Sequence, residues 1–342
     1  MKTMMNKPSL ETKNPNQRRN KTLVWARSQA ASFAPFFTLI ILLVFFSITS
    51  DGFFAVENFR NILGQIATLS VIATGMTFVL LCGQIDLSVA AIATMTGVIT
   101  TQLFSDSQFP EFLAILAGLG VAAIFGLVVS WGTTKVGLPS FMMTLVAMQT
   151  ANGLGQFVSH AKINYHVLPI LRDLGSTYVG PIPTVAIVGA IVLLIGYLVL
   201  TFTRFGRYVY MTGSNRIGAE LSGVNTKVVI GSCLVISAVC AGIGGMLNTG
   251  RLGSAQSYGL DSFLLNSITA VVLGGTSLFG GQGGIKNTVI GLLVFGVLQN
   301  GLDQMGLDIY IKVLISGLIL LSALLINHYA LKLRSVQTEI EG

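Results

Sequence analysis

Phe112-Leu-Ala-Ile-Leu-Ala-Gly118-Leu-Gly-Val-Ala122-Ala-Ile-Phe-Gly126-Leu-Val-Val-Ser-Trp131-Gly-Thr-Thr134 is a run of 23 residues without a charge. A helix rising 1.5 Å per residue needs about 20 such residues to cross the ~30 Å hydrocarbon core of a bilayer. There it must satisfy every backbone hydrogen bond within itself. Runs of this kind recur along the chain, at about 33–49, 61–82, 86–104, 112–134, 140–158, 183–203, 228–249, 263–279, 286–303 and 310–327. The expected fold class is an all-α integral membrane protein of about ten transmembrane helices. Gly83-Gln84-Ile85-Asp86 alone parts the second run from the third, and the eighth is short and ends in a glycine cluster.

The composition agrees. Of 342 residues, 52% are hydrophobic and 10% charged, where a water-facing domain carries about 25% charged residues. The net charge of +7 is spread between apolar runs rather than over one soluble face, so it reads as a determinant of membrane orientation and not as a nucleic-acid surface. If the N-terminus is cytoplasmic, ten spans put both termini inside. Of the 20 Lys and Arg, Arg60, Lys162, Arg172, Arg251 and Lys312 then fall outside, leaving 15 inside. The domain reading is a basic cytoplasmic tail over 1–32, expected to be disordered, a transmembrane domain over 33–328 and a cytoplasmic C-terminal tail over 329–342.

Small residues recur at helical spacing in two spans: Gly118, Ala122 and Gly126, and less regularly Ala238, Gly242 and Met246. Such stripes let helix backbones approach where lipid offers no hydrophobic drive for association. Cys82, Cys233 and Cys240 lie inside apolar segments with no paired spacing, so they read as small packing residues rather than a disulfide framework or a metal site.

The longest inner connection, 204–227, holds a turn at Gly213-Ser214-Asn215, a short helical stretch Arg216–Leu221 and a stop at Ser222-Gly223. Asn215 suits the cap of that helix, and Gly223 the left-handed residue after it. The stretch is either a docking element for a cytoplasmic partner or a solvated connector. Ala219, small and on the helix, is expected where a bulky charge would clash with a tightly fitted partner. The cluster Gly274–Lys286 has no Gly-Lys-Ser/Thr, so it is not a phosphate loop; close backbone packing or a broken helix is expected. Asp86 either caps the third span or serves as a functional ionisable group at a membrane margin. The sequence carries no nucleophile elbow or paired intramembrane carboxylates, so no catalytic residue and no metal ligand is assigned.

Four stretches resemble the permease subunits of sugar-type ABC importers, the ribose, xylose, galactose and autoinducer-2 group. They are Gly83-Gln-Ile-Asp-Leu-Ser-Val89, Pro139-Ser-Phe-Met-Met-Thr-Leu145, the inner loop with Gly206-Arg207, Gly213-Ser-Asn215 and Leu221-Ser-Gly-Val-Asn225, and Ala270-Val-Val-Leu-Gly-Gly-Thr-Ser-Leu-Phe-Gly-Gly281. The likeness runs from about residue 33 onward in matching order, and the last stretch is the most specific. The chain departs from the pattern at Gln84, where the family has glycine, and at Asn266, where an acidic residue is common. The resemblance implies a bacterial inner-membrane permease for a sugar or sugar-like small molecule, paired with a second permease chain as homodimer or heterodimer. It further implies a cytoplasmic ATP-binding subunit and an extracytoplasmic sugar-binding protein. No cofactor would be held by this chain, ATP being bound by the partner. The coupling loop would be carried by Arg207, Gly213, Asn215, Ala219, Leu221, Ser222 and Gly223, and Gln84, Asp86, Asn266 and Thr276 are candidates for the translocation pathway. The alternative is an ion-coupled secondary transporter of a small polar solute, which would be expected to carry ionisable residues near the midplane.

The charge asymmetry predicts that reporters inserted within 213–216 or fused after residue 342 read as cytoplasmic, and one within 162–172 as external. An external C-terminus would mean one span fewer or more, with the 83–86 turn the first place to look.

Overall fold

The computed structural model describes residues 35–341 other than Asp51 and Gly259, with side chains as far as Leu325. The expected N-terminal tail, 1–32, lies outside the described residues. Helices cover the apolar runs: α1 (Pro35–Thr49), α2 (Val56–Leu81), α3 (Val89–Ser105), α4 (Glu111–Trp131, extended by a π-turn to Val136), α5 (Ser140–Ser159), α7 (Thr184–Phe202), α10 (Thr226–Leu252), α11 (Asp261–Leu273), α12 (Ile285–Gln304) and α13 (Ile309–Glu341). The chain is thus a helical membrane protein. Among the described residues, five helices, α2, α4 with its π-turn, α7, α10 and α12, are long and apolar enough to cross a bilayer on their own. Helix α13 carries on through 329–341, the stretch read from sequence as a tail.

Three elements were not anticipated. Helix α6 (Pro169–Ser176) starts on Pro169, whose missing N–H costs nothing at a first helical position. A two-stranded hairpin follows, β1 (Tyr178–Val179) against β2 (Ile182–Pro183), in register Tyr178 to Pro183. The connection 204–227 is also more ordered than its sequence suggests. It begins with α8 (Arg204–Ser214), which Thr203 caps by accepting from Gly206 N at 3.1 Å, and continues into α9 (Arg216–Leu221).

Helix α10 runs through the centre, against α2, α3, α4 and α6. The two stripes of small residues face each other across α4 and α10 and step by four in opposite directions. A Cβ on Gly118 would press on Met246, one on Gly242 would stand 2.9 Å from the Ala122 Cβ, and one on Gly126 would stand 2.9 Å from the Ala238 Cβ. Other faces of α10 use the same device. Gly245 lies against the Ala93 backbone of α3, Gly250 against the Leu171 backbone of α6, and Gly75 of α2 against Ser237 and Cys240. Cys82 and Cys233, which the sequence leaves unconnected, meet as buried thiols with 3.3 Å between sulfurs. By contrast, the outward faces of α4 and α7 are apolar, with Ile124, Leu127, Ile191, Leu194 and Leu198 exposed, as lipid-facing surface requires.

A Cβ at Gly245 has no free space, whereas Gly120 has nothing within 4 Å. Gly245→Val is expected to destabilise the bundle by about 1–3 kcal/mol and to lower its melting temperature in detergent. Gly120→Val should melt like the parent. Equal melting of the two variants would remove close approach at α10 as the organising contact.

Candidate functional site

Three of the motifs that the sequence keeps far apart form a single knot at one end of the bundle. The turn after α2 (82–88), the end of α8 and the glycine cluster after α11 (274–284) meet there. Gly281 N donates to Leu81 O at 2.9 Å, and Tyr210 Oη of α8 donates to Gly283 O at 2.9 Å. Gly213 is not in a left-handed conformation, as its turn position suggested. It is a glycine because a Cβ would drive into Leu81 O and stand 2.7 Å from Gly281 N. Gly280 combines both demands, with φ of +91° and only 2.9 Å from a Cβ to Gly213 O and to Gly83 N. The cluster is close backbone packing, and it fastens α8 to the ends of α2, α11 and α12.

From this base the loop projects α9. Asn215 caps it, its Oδ1 accepting from Gly218 N at 2.9 Å, and Gly223 follows at φ of +83°. Glu220 ties α9 to the start of α10 by accepting from Thr226 Oγ1 at 2.5 Å and from Arg216 Nε at 3.2 Å. Those hydrogen bonds, Thr226 first and Arg216 next, hold its carboxyl below the ordinary glutamate value. The corner therefore loses this contribution as pH falls through the range where Glu220 protonates. Ser222 turns its hydroxyl back to Gly218 O at 2.8 Å, and Arg207 is exposed on α8.

One expectation is corrected. Ala219 does not face a partner; at 2% exposure it packs inward with Val224, Val229 and Ile230. The exposed apolar side chains are Leu221, 85% exposed, and Ile217, 72%. Their i, i+4 spacing puts both on one face of α9. Ile217 was missed, although that spacing is readable from the chain.

The candidate pathway residues separate. Asp86 is 2% exposed and accepts three hydrogen bonds, from Ser88 N at 2.9 Å, Ser88 Oγ at 2.6 Å and Ser237 Oγ of α10 at 2.7 Å. It shapes the turn before α3 but does not cap that helix, whose N-cap residue is Ser88 with no side-chain cap, and it locks the turn to α10. Thr276 is buried in the knot, where its Oγ1 accepts from Gly284 N at 3.2 Å. Gln84 is half-buried beside the knot, its Nε2 bonded to Gly83 O at 3.1 Å. Asn266, also half-buried, stands seven residues up α11 from Leu273, roughly 10 Å along the axis.

Sequence reasoning missed a polar surface. On the outward side of α5, Gln149, Thr150, Gly153 and Gln156 are exposed beside Met142, Leu145 and Val146. Gln149 and Gln156 are seven apart and so share a face. A glutamine turned toward lipid is costly, and α4 and α7 show no such face.

Residues 58–324 match the family model described as branched-chain amino acid transport system / permease component. The chain is 34% identical over 302 residues to a ribose import permease protein of Haemophilus influenzae, covering 86% of this chain and 92% of that one. It is 32% identical over 314 residues to a D-allose transport system permease protein of Escherichia coli, covering 90% and 93%. Against a fructose import permease protein of Rhizobium meliloti the identity is 32% over 314 residues, covering 87% and 85%.

The Asp86–Ser237 contact makes a prediction. Ser237→Ala strands a buried carboxylate oxygen, and is expected to cost about 1–3 kcal/mol, read as a lower melting temperature. Ser322→Ala removes an exposed hydroxyl bonded to its own helix and should leave melting unchanged. A Ser237→Ala variant as stable as the parent would mean that the turn into α3 does not depend on α10.

Proposed function

We propose that this chain, which belongs to the permease family described as branched-chain amino acid transport system / permease component, is the membrane-spanning subunit of an ATP-driven importer of a sugar or sugar-like small molecule. The sugar reading is supported by relatives named as ribose, allose and fructose permeases, each aligned over at least 85% of both chains. A ten-span arrangement with both termini in the cytoplasm is supported by how the ends gather. Segments that alternate sides in that arrangement collect at two opposite poles: 82–84, 213–214 and 279–284 at one, and 58–65, 176–183, Arg251 and 300–304 at the other. The first pole is then cytoplasmic, by the distribution of Lys and Arg.

The observation that carries the reading is the surface of α9. Two apolar side chains stand in the open on a six-residue helix capped at both ends, and the segment leading into it is pinned into the bundle by the glycine knot. A water-facing connector has no use for such a pair, whereas a cytoplasmic ATP-binding subunit would bury it. The bracing lets a displacement imposed on α9 reach α2, α11 and α12 together. The chain has no phosphate loop of its own, so nucleotide binds the partner and shifts the bundle between states by binding them unequally.

The polar face of α5 supports a second permease chain. Set against a copy or a related subunit, Gln149 and Gln156 would line a water-accessible route between the chains instead of facing lipid. Gln84 and Asn266, both half-buried, are carried forward as pathway candidates, while Asp86 and Thr276 act from inside the wall. An extracytoplasmic sugar-binding protein would deliver solute at the opposite pole.

The test uses Ile217→Arg combined with Leu221→Arg. The variant is expected to insert and melt like the parent, to lose copurification of the ATP-binding subunit and to abolish uptake. Ala219→Glu should instead lower the yield of folded protein, because its charge would be buried. Parental uptake and copurification from the double arginine variant would reduce α9 to a connector.

A further inference from the structure

At the pole opposite the knot, the first turns of α2, the last turns of α10 and α12, and the hairpin enclose a cavity of about 550 Å³. That volume falls within the range of small-molecule sites. The ends of spanning helices lie at the depth of phospholipid headgroups. Two guanidinium side chains line the cavity, Arg60 of α2 and Arg251 of α10. Neither has a carboxylate partner among the described residues, whose ion pairs are Arg216–Glu220 and Lys312–Asp303. The hairpin holds Arg60 in place: its Nε donates to Pro181 O at 3.3 Å, and its guanidinium lies over the Tyr178 ring, 5.4 Å from the centroid. Its two Nη groups are left to donate elsewhere. Arg251, exposed, makes no side-chain hydrogen bond among the described residues.

Asp303 is the one acidic residue on the wall, and it is already engaged, one oxygen by Lys312 Nζ and the other by Gln65 Nε2 at 3.2 Å. Two unpaired cations beside a neutralised carboxylate repel a cation and attract an anion. The planar fork of arginine matches the oxygens of a phosphate group in particular. The rim indicates which kind of phosphate. Phe59, Val179, Ile182 and Leu252 each adjoin a lining residue in sequence, and all four are exposed. A water-filled cleft would leave that rim wet, whereas acyl chains cover it. We propose that this cavity holds the phosphate of an anionic phospholipid in the leaflet opposite the knot, with Arg60 and Arg251 donating to its oxygens and the acyl chains lying against the rim. Phosphatidylglycerol suits it, because its headgroup adds only hydroxyls to the phosphate. Phosphatidylcholine would place its own ammonium group beside the two guanidiniums. The bound lipid would tie the hairpin to the ends of α2 and α10 from outside.

The test is native mass spectrometry of the purified full chain, delipidated in detergent and titrated with dioleoyl phosphatidylglycerol or dioleoyl phosphatidylcholine. The parent is expected to bind phosphatidylglycerol about tenfold more tightly than phosphatidylcholine, and to gain melting temperature from the first lipid more than from the second. Arg251→Gln removes no bond within the chain, so it should fold as the parent does and lose most of that preference. Arg60→Gln should lose it as well. Lys162→Gln, at an exposed position off the cavity wall, should keep it. Equal binding of the two lipids by the parent, or an undiminished preference in both arginine variants, would overturn the proposal. Inorganic phosphate or glycerol 3-phosphate bound as tightly as the lipid would assign the cavity to a soluble phosphate and overturn the lipid as its source. Capture of the sugar-binding protein is measured on the same variants. Its loss in both, with the lipid preference intact, would make the arginines a docking pair for a protein carboxylate and overturn the lipid assignment. The lipid titration involves no transport, so its failure would leave the importer reading standing.

Discussion

Helices in a bilayer gain nothing by hiding apolar surface from one another, since lipid is as apolar as leucine. What holds this bundle is the close approach that small residues allow on every side of α10. Gly242 meets Ala122 of α4, Gly245 meets the Ala93 backbone of α3, Gly250 meets the Leu171 backbone of α6, and Ser237 and Cys240 meet Gly75 of α2. Backbone against backbone brings dispersion contacts and dipoles to a distance that no larger side chain permits. Because these contacts surround one helix, a change in the tilt of α10 would move four neighbours at once.

The same economy of side chains builds the knot. There the gain is mechanical as well as energetic, because Gly213, Gly280 and Gly281 bring three loops together without intervening flexible groups. The Asp86–Ser237 bond adds a polar tie from the α2–α3 turn to α10, shielded from water and so stronger than its surface equivalent. A force on α9 therefore meets a stiff path into the bundle, which is what an energy-coupling element requires. The apolar pair Ile217 and Leu221 stands at the free end of that path.

Polar groups in the apolar part of the chain divide by whether they are satisfied. Thr77 and Thr288 pair with each other at 2.7 Å, and Thr74, Thr94 and Thr96 bond back to their own helices; these groups are structural. Gln65 Oε1 and Asn300 Oδ1 are buried without a partner, as are the hydroxyls of Thr68, Thr100 and Thr212, while Gln149 and Gln156 stand on an outward face. Gln149 and Gln156 lie where a hydroxylated solute would pass if two chains were joined through α5.

The apolar runs, the two small-residue stripes and the capped α9 were all legible in the chain. Each is local: periodicity, a run length of about 20, or a cap set by residues three apart is complete within one segment. What only the tertiary structure decided was which segments meet. The stripes at 118–126 and 238–246 announce close packing but not that each is the other's partner. Ala219 turns inward because Val224 and α10 lie behind it, a contact outside its own helix. Gly213 looks like a turn glycine and is instead demanded by Leu81 O, far away in sequence. Asp86 reads as a cap, and its bond to Ser237 crosses 151 positions. A cavity at the pole opposite the knot joins α2 to α12 and the hairpin, segments far apart in the chain. Local pattern specifies elements because helix geometry repeats every few residues; long-range pairing depends on three-dimensional shape, which no periodicity encodes.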